Sequence, residues 1–309
     1  MPLKFRKMVV LAKIETTYGT DSTPTGAANA IQCSNVEFTP LEADEESRDL
    51  VRNNLGAQQV IHIGLRAMIS FEVEVAGAGA AGTAPAYGPL LRACAMSETI
   101  SAGVSVIYNP VDSSEEAVTL WFFIDGQKHA MVGVRGDWGF VLDAKKIPKY
   151  KFNFTGIFVD PSTVANPTPT YTAFQLPKAI TNANTPTFTL HSLAAKLQKL
   201  EVSSGVKTSY RNLVGVEEVS VVDRDGGGNC LIEAPVLTTK NFFTIAKAET
   251  LAAMQLVHGT AAGGIVQFDA SKVQINKPRY SNQDGIAMLQ MDLIFVPTSG
   301  NDEYSLTVK

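Results

Sequence analysis

The sequence predicts a mainly β fold built as two tandem β-sandwich or barrel domains, each with one short α-helix, from an internal duplication. Three observations predict it. Period-2 alternation of apolar and polar residues recurs along the chain, as in Ala67–Val75 (AMISFEVEV), where Phe71, Val73 and Val75 share one face and Ser70, Glu72 and Glu74 the other. A segment also repeats: Arg52–Val60 (RNNLGAQQV) has a near twin at Arg211–Val219 (RNLVGVEEV), 159 positions on without a gap, matching Arg52, Asn53, Gly56 and Val60 to Arg211, Asn212, Gly215 and Val219. Two further pairs follow in the same order, Leu91–Thr99 with Phe242–Thr250 and Ile157-Phe158-Val159 with Ile294-Phe295-Val296. Third, 309 residues suit about two domains, and 45% hydrophobic with 18% charged residues is globular composition. The expected division is a first domain over 1–165, a linker over 166–186 and a second domain over 187–309.

The elements follow in order. Tyr18–Asn29 is turn chemistry, and Val36–Thr39 opens a strand. Pro40–Asn54 is polar, with Glu42, Asp44, Glu45, Glu46 and Asp49 around Arg48 and Arg52. It reads as a solvated loop or as an arm that docks on another subunit, since long loops without structure are uncommon and usually functional. Gly77–Gly82 fits the pattern GxGxxG but is not a dinucleotide loop. Thr83–Tyr87 separates it from the helix expected near Gly88–Met96, and the strand before it has an acidic face. Val104–Asn109, Val118–Ile124, Lys128–Val134, Gly139–Leu142 and Tyr150–Val159 are expected strands, with Asp125-Gly126 as a hairpin turn. Asp160–Thr187 is proline-rich and reads as a semi-rigid spacer. Strands are then expected at Thr187–Leu190, Leu197–Val202, Arg211–Val222, Cys230–Leu237, Leu251–Val257, Ile265–Phe268, Ser271–Asn276 and Ile286–Val296, with a helix over Thr239–Ala248.

Charge and motifs exclude more than they identify. Residues 1–165 hold 14 Lys/Arg against 18 Asp/Glu and residues 166–309 hold 12 against 12, so the whole net charge of −4 lies in the first half. A protein that grips DNA needs a basic face to release counterions. The three cysteines, Cys33, Cys94 and Cys230, lack CxxC spacing and read as reduced, small apolar residues. The amino-terminal run Met8–Ala12 is too short for a signal sequence, and no stretch approaches the ~18 apolar residues of a membrane helix. His62, His129, His191 and His258 stand alone, without metal-ligand spacing. Asp223-Arg224-Asp225-Gly226 begins like a calcium loop, but Ala234 stands where its twelfth-position Glu belongs. No P-loop or nucleophile motif is present, no cofactor is expected and the chain does not read as an enzyme.

Scattered blocks carry a family resemblance. They are Ala12–Asp21, Asn35–Gly56 with its Arg48-Asp49-Leu50-Val51-Arg52, Pro186–His191, Tyr210–Gly215 and Ser299–Glu303. Together they resemble the major tail tube protein of long flexible-tailed, siphovirus-type bacteriophages, over nearly the whole chain. The resemblance implies a virion tail protein whose sheets line a channel for DNA ejection. A doubled domain implies homotrimeric, pseudo-hexameric rings stacked into a tube and assembled in the host bacterial cytoplasm. Implied partners are the chain itself, the tail-tip initiator, the tape measure and tail terminator proteins, and genomic DNA passing without specific binding. Membrane insertion is not expected.

Because DNA carries roughly one negative charge per 1.7 Å, an acidic or neutral lumen lets it slide. Glu72 and Glu74, then Glu217, Glu233 and Asp292, are the candidate lumen residues. The arm with Glu42, Asp44, Glu45, Glu46, Arg48, Asp49 and Arg52 is expected to bridge rings, together with the amino-terminal residues and Thr298–Lys309. The alternative is a two-domain β-sandwich adhesin or binding module of a phage or bacterial surface, which would expose clustered loop aromatics. Here Trp121, Phe122, Phe123, Phe152 and Phe154 sit mostly in expected strands.

Overall fold

The computed structural model describes residues 2–309; Met1 lies outside them. The fold is mainly β, as the alternation predicts. Its first half contains β1 (Met8–Ile14), α1 (Gly26–Asn29), β2 (Ala30–Ile31), β3 (Ser34–Ser47), β4 (Val60–Glu74), α2 (Gly88–Arg92) and β5 (Met96–Ser101). It continues with β6 (Ser105–Pro110), β7 (Val118–Ile124), β8 (Gln127–Asp143), β9 (Lys149–Phe158) and β10 (Ser162–Thr163). The second half opens with β11 (Thr187–Leu190), β12 (Leu193–Ala194), β13 (Leu197–Ser203), β14 (Val206–Leu213), β15 (Val216–Arg224) and β16 (Gly227–Glu233). It closes with α3 (Phe242–Lys247), β17 (Leu251–His258), β18 (Val266–Gln283), β19 (Ile286–Phe295) and β20 (Ser305–Val308).

Pairing within each half gives one strand order. The first half runs β3-β4-β9-β8-β7-β1 and the second β13-β16-β19-β18-β17-β11, antiparallel throughout. The long central strand of each half carries a bulge against its hairpin partner at the same place, between Val118 and Leu120 in β7 and between Ala252 and Met254 in β17. A bulge adds local twist, so the two sheets bend alike. The 159-residue repeat falls on this match: Val60–Glu74 is β4, and Val219–Glu233 spans β15 and β16. The echo between Ile157–Val159 and Ile294–Val296 marks the same strand end two positions out of structural register, since Glu74 faces Lys149 and Glu233 faces Met288.

The halves are tied together. Gly139–Asp143 of β8 pairs with Lys199–Ser203 of β13, and Val106–Tyr108 of β6 pairs with Leu306–Val308 of β20. They share a core in which Trp138 meets Tyr304 at 5.9 Å and Phe140 meets Phe268 at 5.3 Å between ring centroids. Residues 166–186 hold no strand and run along the first half. Ile180 is buried and exchanges backbone bonds with Lys145 and Lys146, and Tyr171 covers a small cluster of Val9, Leu11, Ala30 and Phe123.

Several expected elements differ. The helix expected to reach Met96 or Thr99 stops at Arg92: Ala95 adopts φ +54, and Met96–Ser101 pairs as β5 with β6, where Thr99 and Ile100 suit a strand. Lys128–Val134 and Gly139–Leu142 form one bulged strand, as do Ile265–Phe268 and Ser271–Asn276. Arg211–Val222 is a hairpin that turns at Val214-Gly215, with Gly215 at φ +91. The segment Pro40–Asn54, expected as a solvated loop or a docking arm without strand structure, is strand as far as Ser47, because Glu42–Ser47 pairs with Val60–Arg66. Among the described residues the helices number three, since α1 joins the one expected in each half.

Candidate functional site

Three surfaces stand out: a polar sheet face, two hairpin tips and two sheet edges. The polar face crosses both halves because β13 continues the first sheet. Along it, Glu72 faces Lys151 and Glu74 faces Lys149 across β4–β9, Glu201 sits opposite Val141 across β8–β13, and Asn229 sits opposite Asp292 across β16–β19. Glu72, Glu201, Glu233 and Asp292 are each paired with a lysine. Lys149 Nζ lies 2.7 Å from Glu72, Lys199 Nζ 2.6 Å from Glu201, Lys196 Nζ 2.7 Å from Glu233 and Lys277 Nζ 3.8 Å from Asp292. Burial pushes the Glu72 carboxyl up, but the Lys149 ammonium and the Asn35 amide outweigh it and hold the group below the ordinary range. The hydrogen bond from Lys199, with one from Asn229, holds Glu201 low as well.

Glu72, Glu74, Glu233 and Asp292 therefore share a sheet face, while Glu217 sits apart in the β14–β15 hairpin, bonded by the Tyr210 hydroxyl. Lysines stand beside these acids, so the face carries mixed charge. Lys149, Lys151, Lys196, Lys199 and Glu201 were missed by sequence reasoning. The alternation of Lys151 and Asn153 with Phe152 and Phe154 gave their face, but only the register brings them beside the acids.

The tips come from the repeat. Arg48, Asp49, Arg52, Asn53 and Gly56 lie in the exposed connection between β3 and β4, and Arg211, Asn212 and Gly215 at the end of β14–β15. Glu42, Asp44, Glu45 and Glu46 lie on β3 below the first tip, with Asp44 3.1 Å from Arg66. Fully exposed apolar side chains crown both tips: Val51 and Leu55 on one, Val214 on the other. The hairpins touch, since the Tyr210 hydroxyl lies 3.2 Å from Leu65 O and the Arg66 guanidinium lies over its ring. The second hairpin is anchored on the first half at Val219. Its N–H donates to the Tyr18 hydroxyl at 2.6 Å, its carbonyl accepts from Arg135 at 3.0 Å, and Arg135 in turn stacks over Tyr18.

The remaining titratable groups are built into the fold. His191 bonds Val273 O at 2.8 Å and His258 bonds the Thr185 hydroxyl at 2.9 Å; both are buried, and burial holds both below the ordinary histidine range. All three thiols are free, and burial pushes Cys33 and Cys230 up to about 12. Arg224 of the calcium-like segment instead pairs with Glu303 and bonds Asn301 and Val111 O. Among the described residues no group of three or more His, Cys, Asp or Glu could hold a metal ion, and no helix is long and apolar enough to cross a membrane.

Sheet edges, projecting hairpins and a charge-paired face are the features of a structural β-protein. The family model for phage tail tube proteins matches residues 6–297, and the chain belongs to that family. It is a structural component of the virion tail, of a family that associates with itself to form a tube. No curated protein matches it.

Proposed function

We propose that three copies form a head-to-tail, pseudo-hexameric ring, and that rings stack into the tube through which DNA leaves a flexible-tailed phage. The observation that carries this reading is the common strand order of the two halves, joined through the β8–β13 ladder. It supports an internal duplication, with each half one-sixth of a ring. A heterologous contact closes into a ring when its rotation closes, and stacks without limit along the axis. The polar face bearing Glu72, Glu74, Glu233 and Asp292 is the proposed lumen wall. Its acids are matched by lysines, so DNA meets a surface close to neutral and is not held. The two hairpin tips are the proposed contacts between rings, with exposed Val51, Leu55 and Val214 to bury. The tail-tip initiator would nucleate the first ring, the tape measure would occupy the lumen during assembly in the host cytoplasm and the terminator would stop growth.

Negative-stain electron microscopy at rising protein concentration, with and without the initiator complex, tests the proposal. Three-chain rings with a central hole are expected; rings of six chains would remove the pseudo-hexamer and keep the tube. Removing residues 48–58 is expected to leave single rings that no longer stack. Tubes of ordinary length from that deletion would rule out the tip as the inter-ring contact.

A further inference from the structure

The ladder between the halves is also a template for the joint between copies. Within the chain, β13 adds to the part of β8 that lies beyond the end of β7, pairing Glu201 with Val141, Val202 with Phe140 and Ser203 with Gly139. The second half contains the counterpart of β8, and the first half the counterpart of β13. Matching the shared pairings of each half places Phe140 on Tyr280 and Val202 on Phe38.

Both counterparts are open. Among the described residues, β18 beyond Gln274 pairs only with β19, and β3 pairs only with β4. The segment Arg279–Asn282 is exposed. An unpaired strand edge is a template for another strand.

We propose that Val36–Thr39 of β3 in one copy adds to the free edge of β18 in the next, pairing Glu37 with Ser281, Phe38 with Tyr280 and Thr39 with Arg279. The inference rests on the ring reading above and fixes its joint and direction. Chemistry agrees on both faces. Phe38 faces the core side, against Phe122 at 4.8 Å, and Tyr280 is on the corresponding side of β18, against Phe243 at 5.3 Å. The new pair extends one apolar layer into the other. On the polar face Glu37 is diagonal to Arg279, within reach of a long side chain. The arm of β3 is acidic, with Glu37, Glu42, Asp44, Glu45 and Glu46, whereas β18 offers Lys277 and Arg279. Pro40, which has no N–H to give, stops the ladder where the arm leaves the sheet. Pro278 falls outside the three proposed pairs.

Engineered cross-linking reads this register directly. In the template, Ser204 N donates to Trp138 O and Ala144 N to Gln198 O, so the pairs between those bonds alternate, and Glu201–Val141 is a non-hydrogen-bonded pair. Glu37 and Ser281 are its counterparts, with their Cβ atoms at a spacing that a disulfide spans. Oxidising assembled E37C/S281C protein is expected to give linked dimers and a closed trimer on a non-reducing gel, while E37C/Q283C stays largely unlinked. Tubes of ordinary appearance without the 37–281 link would overturn the joint and leave the ring standing. Wild-type protein that forms no ring with the initiator would overturn the ring reading itself. A link confined to single chains would overturn the joint, because both edges would then belong to one copy. A charge exchange provides a second measurement: Glu37→Arg and Arg279→Glu are each expected to lower the ring fraction about tenfold, and the double variant to restore it. Unchanged assembly in both single variants would discard the polar half of the joint.

Discussion

Arg224 and Glu303 show how single side chains hold distant parts of this sheet together. The guanidinium is mostly buried between Glu303, Asn301 and the Val111 carbonyl, so it ties the loop before β20 to the first half. Removing one member strands the other away from water, which costs about 3–5 kcal/mol. Glu303→Ala is therefore expected to lower the urea midpoint by an amount that Glu37→Ala, on an exposed strand, does not approach. His191 and His258 set a different dependence. Both are held below the ordinary histidine value of about 6.5, so the unfolded chain binds protons that the folded chain does not. Their contribution is complete above that value and declines as pH falls below it. Urea unfolding at pH 7.5 and 5.5 is expected to show this loss, and the double variant H191Q/H258Q to show less of it.

At the scale of elements, the β8–β13 ladder depends on a residue without a side chain. A Cβ on Gly139 would come within 2.5 Å of the Val202 carbonyl oxygen, which is backbone and cannot yield without opening the ladder. Gly139→Ala is expected to lower the melting temperature clearly further than Gly285→Ala does. Gly285→Ala meets nothing and costs only the left-handed backbone at φ +82, about 1–2 kcal/mol. Comparable losses in both would show that the ladder contributes little.

Strand existence was legible in the sequence because each half-buried strand alternates, as β4 and β9 do. Continuity was not. Lys128–Val134 and Gly139–Leu142 read as two strands, but bulging lets β8 pass through both. The acidic appearance of β3 suggested a loop for a similar reason: an edge strand with both faces polar has no periodic signal.

For the whole molecule, charge balance on the joined face decides what the proposed lumen does to DNA. Replacing Glu72, Glu74, Glu233 and Asp292 by their amides would leave Lys149, Lys196 and Lys277 without partners. Tubes of that variant are expected to retain DNA at low salt and release it as salt rises, read by co-sedimentation; wild-type tubes should retain none. The candidate acids were legible one strand at a time, and four of five fall on this face. Their lysine partners were not, because β9, the start of β13 and β18 come beside them through pairings that the sequence of each acidic strand does not show. The repeat announced two similar halves. It could not announce their common core, since Trp138, Phe140, Phe268 and Tyr304 carry no mark in sequence of facing one another.

The β8–β13 ladder also bears on the speed of ring formation. Two sheets on one chain meet at an effective concentration that a tether holds near the millimolar range, however dilute the protein. In the proposed ring every second seam is thus sealed before any collision takes place. Closing the circle then requires three seams between chains where six separate halves would require six. The saving matters most early in infection, when few copies have been made.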